Sequence, residues 1–354
     1  MTADAVLPTT MAAAVLRGRG RLEVEDVPVP APGEHEVLVE VSHCGVCGSD
    51  LHMVLEGWGR KGSIGGHEWS GVIVSTGSGV TGWAVGDEIV GGPTPRCGTC
   101  GPCIAGRPSL CAERDTPGAD GEWQGAFARY VKVDERELLR VPDGVSLRQA
   151  ALAEPLAVAL HGITLSGIEA GQRALVTGAG PIGALVIAAL KAMGVDDIKV
   201  SEPSELRRSL ASKLGASEVV TPDRLEDPGP FDPGQVVAEP VDVAFECSGN
   251  GAAMEACLAQ LRRMGRLVLV GAGMAEPKLN PNRILLNELM ITGAFCYDAD
   301  GFERALELLG SGRLPVDLLV EPDDVPLGGA LSAMEALATG QIASKVLIAP
   351  GMGS

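Results

Sequence analysis

The first 145 residues of the chain alternate short apolar stretches with turn-forming residues. Residues 14–16, 22–25 and 37–41 are apolar or alternate between apolar and polar, and prolines and glycines separate them. Alternation punctuated in this way is typical of β-strands joined by turns. A segment rich in cysteine and glycine interrupts the pattern, which resumes at residues 127–133. The pattern predicts a β-rich first domain.

Beyond Ser146 the pattern changes to strands that alternate with helices. Ser146 is a typical helix cap, and an apolar stretch from 147 to 160 follows it as the predicted helix. Further helices separate the predicted buried strands, which begin at Arg173, Ile198, Val241, Arg266 and Met290. This alternation predicts a doubly wound parallel sheet, and hence an α/β fold class.

The last part of the chain is predicted to rejoin the first domain. A helix is expected from Phe302 onward, and Lys345-Val-Leu-Ile has the character of a strand that returns to the first sheet. We therefore predict one domain made of residues 1–152 and 296–354, and a parallel-sheet domain made of residues 153–295.

Composition narrows the classes of partner. The 354 residues carry a net charge of −18 and only 3% aromatic side chains, so we expect no nucleic-acid partner. No apolar run approaches the length of about 18 residues that a membrane helix needs. The N-terminus also lacks the pattern of a signal peptide. The nine cysteines are an odd number, which favours reduced thiols in the cytoplasm.

Four cysteines lie close together in a loop rich in glycine and proline at residues 95–113. Their spacing is C-x2-C-x2-C-x7-C, and the set comprises Cys97, Cys100, Cys103 and Cys111. Four thiolates can close a tetrahedral shell around Zn²⁺, and such a shell leaves no open position for a substrate. The spacing therefore predicts a structural zinc site. A disulfide knot or a group of buried free thiols is the alternative.

A glycine motif follows the strand predicted at Arg173 and opens the next predicted helix. A turn at such a junction directs backbone N–H groups and a helix N-terminus toward a pyrophosphate. The motif predicts a dinucleotide site that includes Gly178, Gly180, Pro181, Ile182 and Gly183.

Glu202 ends the strand that follows the glycine motif. A carboxylate at this position can accept both ribose hydroxyls of NAD, and it repels the 2′-phosphate of NADP. The nearby Arg207 could offset that repulsion, or it could belong to a solvated helix face. We expect NAD as the cofactor, with NADP as the alternative.

A second set of metal-binding side chains is spread over three segments. Cys47-Gly-Ser-Asp-Leu-His52 precedes Gly66-His67-Glu68, and Glu154 follows in the predicted apolar helix. A thiolate, an imidazole and a carboxylate can hold Zn²⁺ and leave a position open for a substrate. Cys44 and Cys47 could instead form a redox pair.

The order of these motifs resembles that of the zinc-dependent medium-chain alcohol dehydrogenase family. The matching segments comprise residues 47–52, 66–68, the four-cysteine loop, 178–183 and 245–249. Glu68 and Glu154-Pro-Leu resemble the polyol and butanediol branch, which is sorbitol dehydrogenase-like. The resemblance implies a GroES-like catalytic domain, a Rossmann nucleotide-binding domain, one catalytic and one structural zinc ion, and a homodimer or homotetramer.

The resemblance also assigns the catalytic metal ligands. It implies that Cys47 and His67 bind the zinc ion and that Cys44 does not. Glu68 and Glu154 are the candidate carboxylate ligands. Zinc with one thiolate and one carboxylate is neutral, and a second directly bound carboxylate would make the site a poorer Lewis acid. We therefore predict that only one of the two binds directly at a time and that the other acts through water.

Further roles follow from the same resemblance. Asp50 is expected to orient His67, although it could instead cap a turn. Ser49 and His52 are expected to relay the alcohol proton to solvent, since a histidine titrates near neutral pH. Nicotinamide contacts are expected at Val270 and Phe295, and a pyrophosphate contact at Lys345.

The predicted reaction is the reversible oxidation of a secondary alcohol, vicinal diol or cyclic polyol to the ketone, with hydride transfer to NAD. Sorbitol-type members carry an arginine where this chain has Cys296, which disfavours a long sugar alcohol. A threonine-type dehydrogenase or an NADPH-dependent carbonyl reductase is the alternative on the same fold. A non-catalytic nucleotide-binding protein is a more distant alternative, because the expected zinc-ligand residues are present.

Overall fold

The β-rich part of the chain forms a hairpin and an antiparallel sheet, as predicted. The computed structural model describes residues 7–91, 97–113, 124–229 and 232–353. The hairpin pairs β1 (Thr10–Gly18) with β2 (Arg21–Pro28). The larger sheet comprises β3 (Glu36–Gly45), β4 (Glu68–Thr76), β5 (Glu88–Gly91), β6 (Tyr130–Asp134), β7 (Leu138–Arg140) and β14 (Leu347–Ile348).

The returning strand β14 completes this sheet beside β3. Leu347 pairs with Gly45 and Ile348 with Cys44, which confirms the predicted return of the chain to the first sheet. Gly45 also pairs with Glu68 at the start of β4. The register therefore brings the segment before Leu347 next to Glu68.

The predicted doubly wound sheet is confirmed between residues 173 and 293. Its strands are parallel and lie in the order β10-β9-β8-β11-β12-β13, with β8 (Arg173–Thr177), β9 (Asp197–Ser201), β10 (Glu218–Val220), β11 (Val241–Glu246), β12 (Leu261–Leu269) and β13 (Met290–Gly293). The carboxyl ends of parallel strands lie at one edge of the sheet, where ligands bind in folds of this class.

Helices cover this sheet and connect the two halves of the chain. The short helices α1 (Gly48–Leu51) and α2 (Gly101–Ile104) belong to the first part of the chain. The remaining helices are α3 (Leu147–Ala150), α4 (Ala153–Ser166), α5 (Pro181–Ala192), α6 (Glu205–Lys213), α7 (Gly251–Gln260), α8 (Pro281–Asn287), α9 (Gly301–Gly310), α10 (Val316–Leu319) and α11 (Ala330–Ala338). Within the described ranges, no helix is long and apolar enough to cross a bilayer.

The single helix predicted for residues 147–160 is wrong, because the chain forms α3 and α4 with a break between them. Ser146 does cap α3, in a reciprocal capping box with Gln149. Pro155 has no N–H to donate to the carbonyl four residues earlier, so a helix that contains it starts just before it. The second helix accordingly begins at Ala153.

The core of the half that contains the parallel sheet lies where α4 and α5 pack on that sheet. Every residue of α5 from Gly183 to Leu190 is buried, and β8 is apolar on both faces. Burial on both faces is expected of a parallel sheet covered by helices on each side. The domain boundaries predicted at 152 and 295 stay predictions.

Candidate active site

Three side chains with metal-binding atoms meet where the first sheet leads into α1. Cys47 is the N-cap of α1, while His67 and Glu68 lie at the start of β4. The Cys47 sulfur, a His67 ring nitrogen and a Glu68 oxygen all lie within 4.8 Å of one another. A thiolate, an imidazole and a carboxylate at this separation suit a zinc ion with an open position.

The electrostatics of this group also favour a cation. Burial alone lowers the pKa of His67, but the negative side chains of Cys47 and Asp50 outweigh it and hold that pKa well above its ordinary value. Groups that draw a proton so strongly onto an imidazole can bind a divalent cation in its place. The residues therefore fit a metal ion.

Glu68 is paired with the buried ammonium group of Lys345. The Nζ atom lies 2.7 Å from each carboxylate oxygen and donates to the Val46 carbonyl oxygen at 3.1 Å. Lys345 is 3% and Glu68 1% exposed. Burial lowers the pKa of Lys345, but the Glu68 charge outweighs this and raises that pKa, so the ammonium group is charged at neutral pH.

Glu154 lies in the first turn of α4 and is also buried. Burial raises its pKa to about 7, with the His67 charge acting in the opposite direction. In the described part of the chain, the group of ligand atoms within 4.8 Å contains Glu68 and does not contain Glu154. The positive charge of Lys345 offsets one of the two carboxylates, so the net charge of the candidate metal site differs from the one expected from Cys47, Glu68 and Glu154 alone.

Asp50 caps the turn that carries Cys47. Its Oδ2 accepts a hydrogen bond from the Cys47 N–H at 2.9 Å, while Oδ1 lies 3.9 Å from His67 Nδ1. The cap is therefore formed, whereas the contact with His67 is longer than a hydrogen bond. Burial raises the pKa of Asp50, with the His67 charge opposing it.

The four cysteines of the second predicted site also come together. Residues 97–113 of the predicted 95–113 loop are described, and the sulfurs of the four cysteines lie within 4.8 Å of one another. None of the nine cysteines of the chain forms a disulfide. Backbone N–H groups of Thr99 and Cys100 lower the pKa of Cys97 to about 6, which favours the thiolate that binds metal. This group of four sulfurs fits a closed zinc site.

The glycine motif forms the predicted turn between β8 and α5. Gly178 has a φ of +83°, and a Cβ on Gly183 would lie 1.9 Å from the Gly178 carbonyl oxygen. Only glycine allows this close helix–strand packing. Gly180 is the N-cap of α5, and Pro181 and Ile182 open the helix.

Glu202 follows β9 and already has backbone partners. Its carboxylate accepts hydrogen bonds from the Ala179 N–H at 2.7 Å and from the Ser204 N–H at 2.8 Å. The residue therefore stabilises the glycine turn. Arg207 donates to the carbonyl oxygens of Leu337 and Ile342, so it does not belong to a purely solvated helix face.

Several of the predicted cofactor residues share one edge of the parallel sheet. Gly178, Glu202, Val270 and Phe295 each follow the carboxyl end of a different strand. Phe295 is 48% exposed there, and Val270 is half-buried. This is the edge at which doubly wound sheets bind dinucleotides.

His52 reaches this edge from the metal-binding half. Its Nε2 donates to the Ala272 carbonyl oxygen at 3.2 Å, and its Nδ1 lies 3.0 Å from Glu56 Oε1. Its ring stacks on Trp58 with centroids 4.6 Å apart. Ser49 lies half-buried between Cys47 and His52 on α1. The contact with Ala272 brings the candidate metal site and the carboxyl edge of the sheet together.

Reasoning from sequence missed two polar contacts. It assigned Lys345 to the cofactor, whereas the structure places its ammonium group on Glu68; the pyrophosphate contact stays a prediction. The register gives a signal for this pairing, since Gly45 pairs with Glu68 and also with Leu347, which lies two residues after Lys345. The contacts of the buried His161 ring with Arg107 and Asp298 were not predicted either. A histidine within an apolar helix is itself a signal of a buried partner.

Comparison with known proteins agrees with this arrangement. The alcohol dehydrogenase GroES-like domain matches residues 33–143 and the zinc-binding dehydrogenase domain matches residues 181–311. A sorbitol dehydrogenase of Bacillus subtilis is 36% identical over 345 residues, which cover 93% of this chain and 94% of that protein.

Two solved structures share the fold over almost their whole length. The 2R,3R-butanediol dehydrogenase of Bacillus subtilis has a TM-score of 0.83 at 32% identity and covers 96% of this chain and 100% of its own. A zinc-binding dehydrogenase of Sinorhizobium meliloti bound to NADP has a TM-score of 0.84 at 31% identity, with coverage of 97% and 100%. The chain belongs to the zinc-dependent medium-chain alcohol dehydrogenase family, in its polyol and butanediol branch. It is an oxidoreductase.

Proposed function

We propose that this enzyme reversibly oxidises a secondary alcohol, vicinal diol or cyclic polyol to the ketone with NAD as the hydride acceptor. The observation that carries the proposal is the contact of His52, the C-cap of α1, with Ala272 at the carboxyl edge of the sheet. Cys47 caps the other end of the same short helix and belongs to the group with His67 and Glu68. A metal site beside a dinucleotide edge is the arrangement that alcohol oxidation needs. Butanediol, named for one relative, is a vicinal diol of the proposed class. Sorbitol, named for another, is a long sugar alcohol, which Cys296 disfavours in this chain.

The metal ligands are proposed from the same geometry. Cys47, His67 and one carboxylate hold the catalytic zinc, and the four-cysteine loop holds the structural one. Because Lys345 engages both oxygens of Glu68, direct binding by Glu68 requires that pair to loosen. While the pair is closed, Glu154 is then the carboxylate that binds zinc directly, and when Glu68 binds instead, Glu154 acts through water.

The reaction requires the removal of a proton and a hydride from the alcohol. Zinc bound at this site supplies a Lewis acid that lowers the pKa of the alcohol hydroxyl, and NAD supplies the hydride acceptor. Ser49 takes the proton, and His52 passes it toward solvent. Glu56 lies within 3.0 Å of His52 Nδ1 and is half exposed, so it provides the outer end of this path.

Cofactor preference is proposed from Glu202. Its buried carboxylate at the end of β9 repels a 2′-phosphate, which favours NAD over NADP. One observation favours the other cofactor, since the Sinorhizobium meliloti structure is bound to NADP. An NADPH-dependent carbonyl reductase is therefore the second candidate function, and a comparison of kcat/KM for NAD and NADP distinguishes the two.

A homo-oligomer is proposed from the edge strand β13. It is the last strand of its sheet, and it exposes Met290 and Ile291. An exposed apolar edge strand is a template for pairing with a second chain. Ile291→Lys should lower the mass measured by light scattering. Cytoplasmic localisation is proposed on the nine unpaired thiols.

Metal content and NAD reduction, measured on one purified sample against alcohols, diols, polyols, cyclitols and threonine, test the proposal. We expect about two zinc ions per chain and turnover of a secondary alcohol. Cys47→Ser should remove about one zinc ion per chain and abolish turnover while NADH still binds. Full turnover in that variant would refute the assignment of the site.

Cys44→Ser is the matched control for this experiment. Cys44 is a fully buried thiol three residues before Cys47 and lies outside the ligand group. The control should keep both zinc ions and its turnover. Zinc loss and inactivity in both variants would point to general damage of this region and would leave the ligand assignment without support.

A further inference from the structure

Arg107 links the four-cysteine loop to a helix of the nucleotide-binding half. It lies between Cys103 and Cys111, and its Nη2 donates to His161 Nε2 at 3.0 Å. His161 is 1% exposed and belongs to α4. A guanidinium can only donate, so Nε2 accepts and the proton of the neutral ring lies on Nδ1. Burial lowers the pKa of His161, in agreement with a neutral ring.

The other side of the His161 ring faces the segment that follows β13. Nδ1 lies 3.0 Å from Asp298 Oδ1, at hydrogen-bond distance but without good hydrogen-bond alignment. Arg304 lies 3.6 Å from the other carboxylate oxygen of Asp298. Asp298 is thereby held between an imidazole N–H and a guanidinium group.

Asp298 anchors a stretch of strained backbone. Cys296 has a φ of +53°, a left-handed conformation that persists in a residue with a side chain only where the surroundings impose it. Tyr297 is 1% exposed and packs edge-to-face on Phe302 with centroids 4.9 Å apart. Tyr297 and Asp298 together therefore fix the backbone on one side of Cys296. Phe295 lies on the other side, exposed at the cofactor edge.

We propose that Arg107, His161 and Asp298 form a positioning chain through which the four-cysteine loop holds segment 295–298 in place beside the cofactor. The inference rests on the proposed function, because it takes up the predicted contact of Phe295 with the nicotinamide of the bound cofactor. The three residues act through the segment and do not touch the reacting atoms. The shape of the segment determines how tightly the cofactor binds, so the four-cysteine loop contributes to cofactor affinity from outside the site.

Hydrogen exchange of the amides at 294–300, in the full-length zinc-loaded protein, tests the chain directly. In Arg107→Met and in His161→Phe we expect exchange there to accelerate about tenfold, which corresponds to the loss of one hydrogen-bonded contact. Arg107→Lys keeps a donor and should restore part of the protection. Unchanged exchange in a folded Arg107→Met protein overturns the proposal.

Arg313→Met is the matched control. Arg313 also donates to another helix, at the Ala192 carbonyl oxygen 3.1 Å away, but it lies at the opposite end of α9 from Asp298. Exchange at 294–300 should not change in this variant. Equal acceleration in the control and in Arg107→Met would show a general loosening and would overturn the specific chain.

A second variant tests whether the three residues act in series. In His161→Asn the amide can still donate to Asp298, but the shorter side chain no longer reaches Arg107. The same variant replaces His161→Phe in the exchange experiment if the phenylalanine variant does not fold. Adding Arg107→Met to His161→Asn should have no further effect on exchange, because the link is already broken. A further acceleration would show that Arg107 acts independently and would overturn the chain.

Cofactor titration distinguishes this inference from the proposed function. NADH affinity, followed by fluorescence, should fall about fivefold to tenfold in Arg107→Met, with zinc content unchanged. If the wild-type protein does not bind NADH, the proposed function is refuted. The exchange experiment still tests the positioning chain in that case. Fast exchange at 294–300 with wild-type NADH affinity refutes the connection to the cofactor.

Discussion

Replacing Lys345 by methionine removes the positive partner of the Glu68 carboxylate and keeps a side chain of similar size. In the zinc-free protein the carboxylate is then left buried without a counter-charge, because both of its oxygens face the Lys345 ammonium group at 2.7 Å. We expect a large local loss of stability around the candidate metal site. The loss should be confined to the sheet that joins β3, β4 and β14.

The magnitude follows from the burial of the pair. Removing one partner of a buried ion pair costs about 3–5 kcal/mol. The hydrogen bond to Val46 O at 3.1 Å is lost as well, which adds about 1 kcal/mol. A local loss of at least about 4 kcal/mol accelerates exchange through opening by roughly a thousandfold or more.

Native-state hydrogen exchange is the suitable assay, since a two-domain protein does not unfold in one transition. Amides of β3 and β4 report on the pair, and amides of β8 and β11 serve as the internal control. The double variant Lys345→Met with Glu68→Met removes both charges, and replacing a buried pair by apolar groups is often neutral. We expect this double variant to recover more than half of the lost protection.

Two results would refute this reasoning. The first is an acceleration of less than about tenfold in the single variant, which would show that the pair contributes little. The second is a double variant that exchanges as fast as the single one. In that case the loss would come from the missing lysine side chain and not from the unpaired charge on Glu68.

Three further predictions concern other parts of the molecule. Gly45→Ala would place a Cβ 2.2 Å from Glu68 Oε2 and 3.2 Å from Lys345 Cδ. Because this clash displaces Glu68, we expect loss of zinc from the candidate catalytic site, and a normal zinc content measured by atomic absorption would contradict this prediction. Glu202→Ala should raise the KM for NAD about tenfold, because one charge-assisted contact is lost, and it should lower the KM for NADP. An unchanged ratio of the two KM values in steady-state kinetics would count against the assignment of Glu202 to the ribose. Because burial lowers the pKa of His161 below its ordinary value, the unfolded chain takes up that proton first as the pH falls below about 6.5. The wild type should therefore lose stability in that range more steeply than His161→Gln, and parallel denaturation curves would show that His161 does not contribute.

The fold could be predicted from sequence because it rests on local patterns. Alternating apolar stretches predicted the first sheet, and strands separated by helices predicted the parallel one. The glycine motif was placed correctly because its glycines meet steric demands of a strand–helix turn. The helix from 147 to 160 was predicted wrongly because apolar periodicity continues through the break, and only Pro155 marks it.

The contacts that could not be predicted join residues distant in sequence. Glu68 and Lys345 are 277 positions apart, and Arg107 and His161 are 54 apart. Charge and residue type do not identify such a partner, because any lysine of the chain could in principle pair with any carboxylate. The candidate metal-binding group of Cys47, His67 and Glu68 could be predicted from sequence only through the family motif, since its members lie on different elements.

The separation of Glu68 from Lys345 also has a consequence in time. A ribosome adds roughly 5–20 residues per second, so roughly 15 to 55 seconds pass between the synthesis of Glu68 and that of its partner 277 positions later. During this interval β3 lacks β14, and the Glu68 carboxylate has no ammonium group beside it. The candidate metal site of the nascent chain is therefore more acidic than that of the finished protein. A cation that arrives before β14 has paired finds the Glu68 carboxylate free, whereas a later one competes with the Lys345 ammonium group for it.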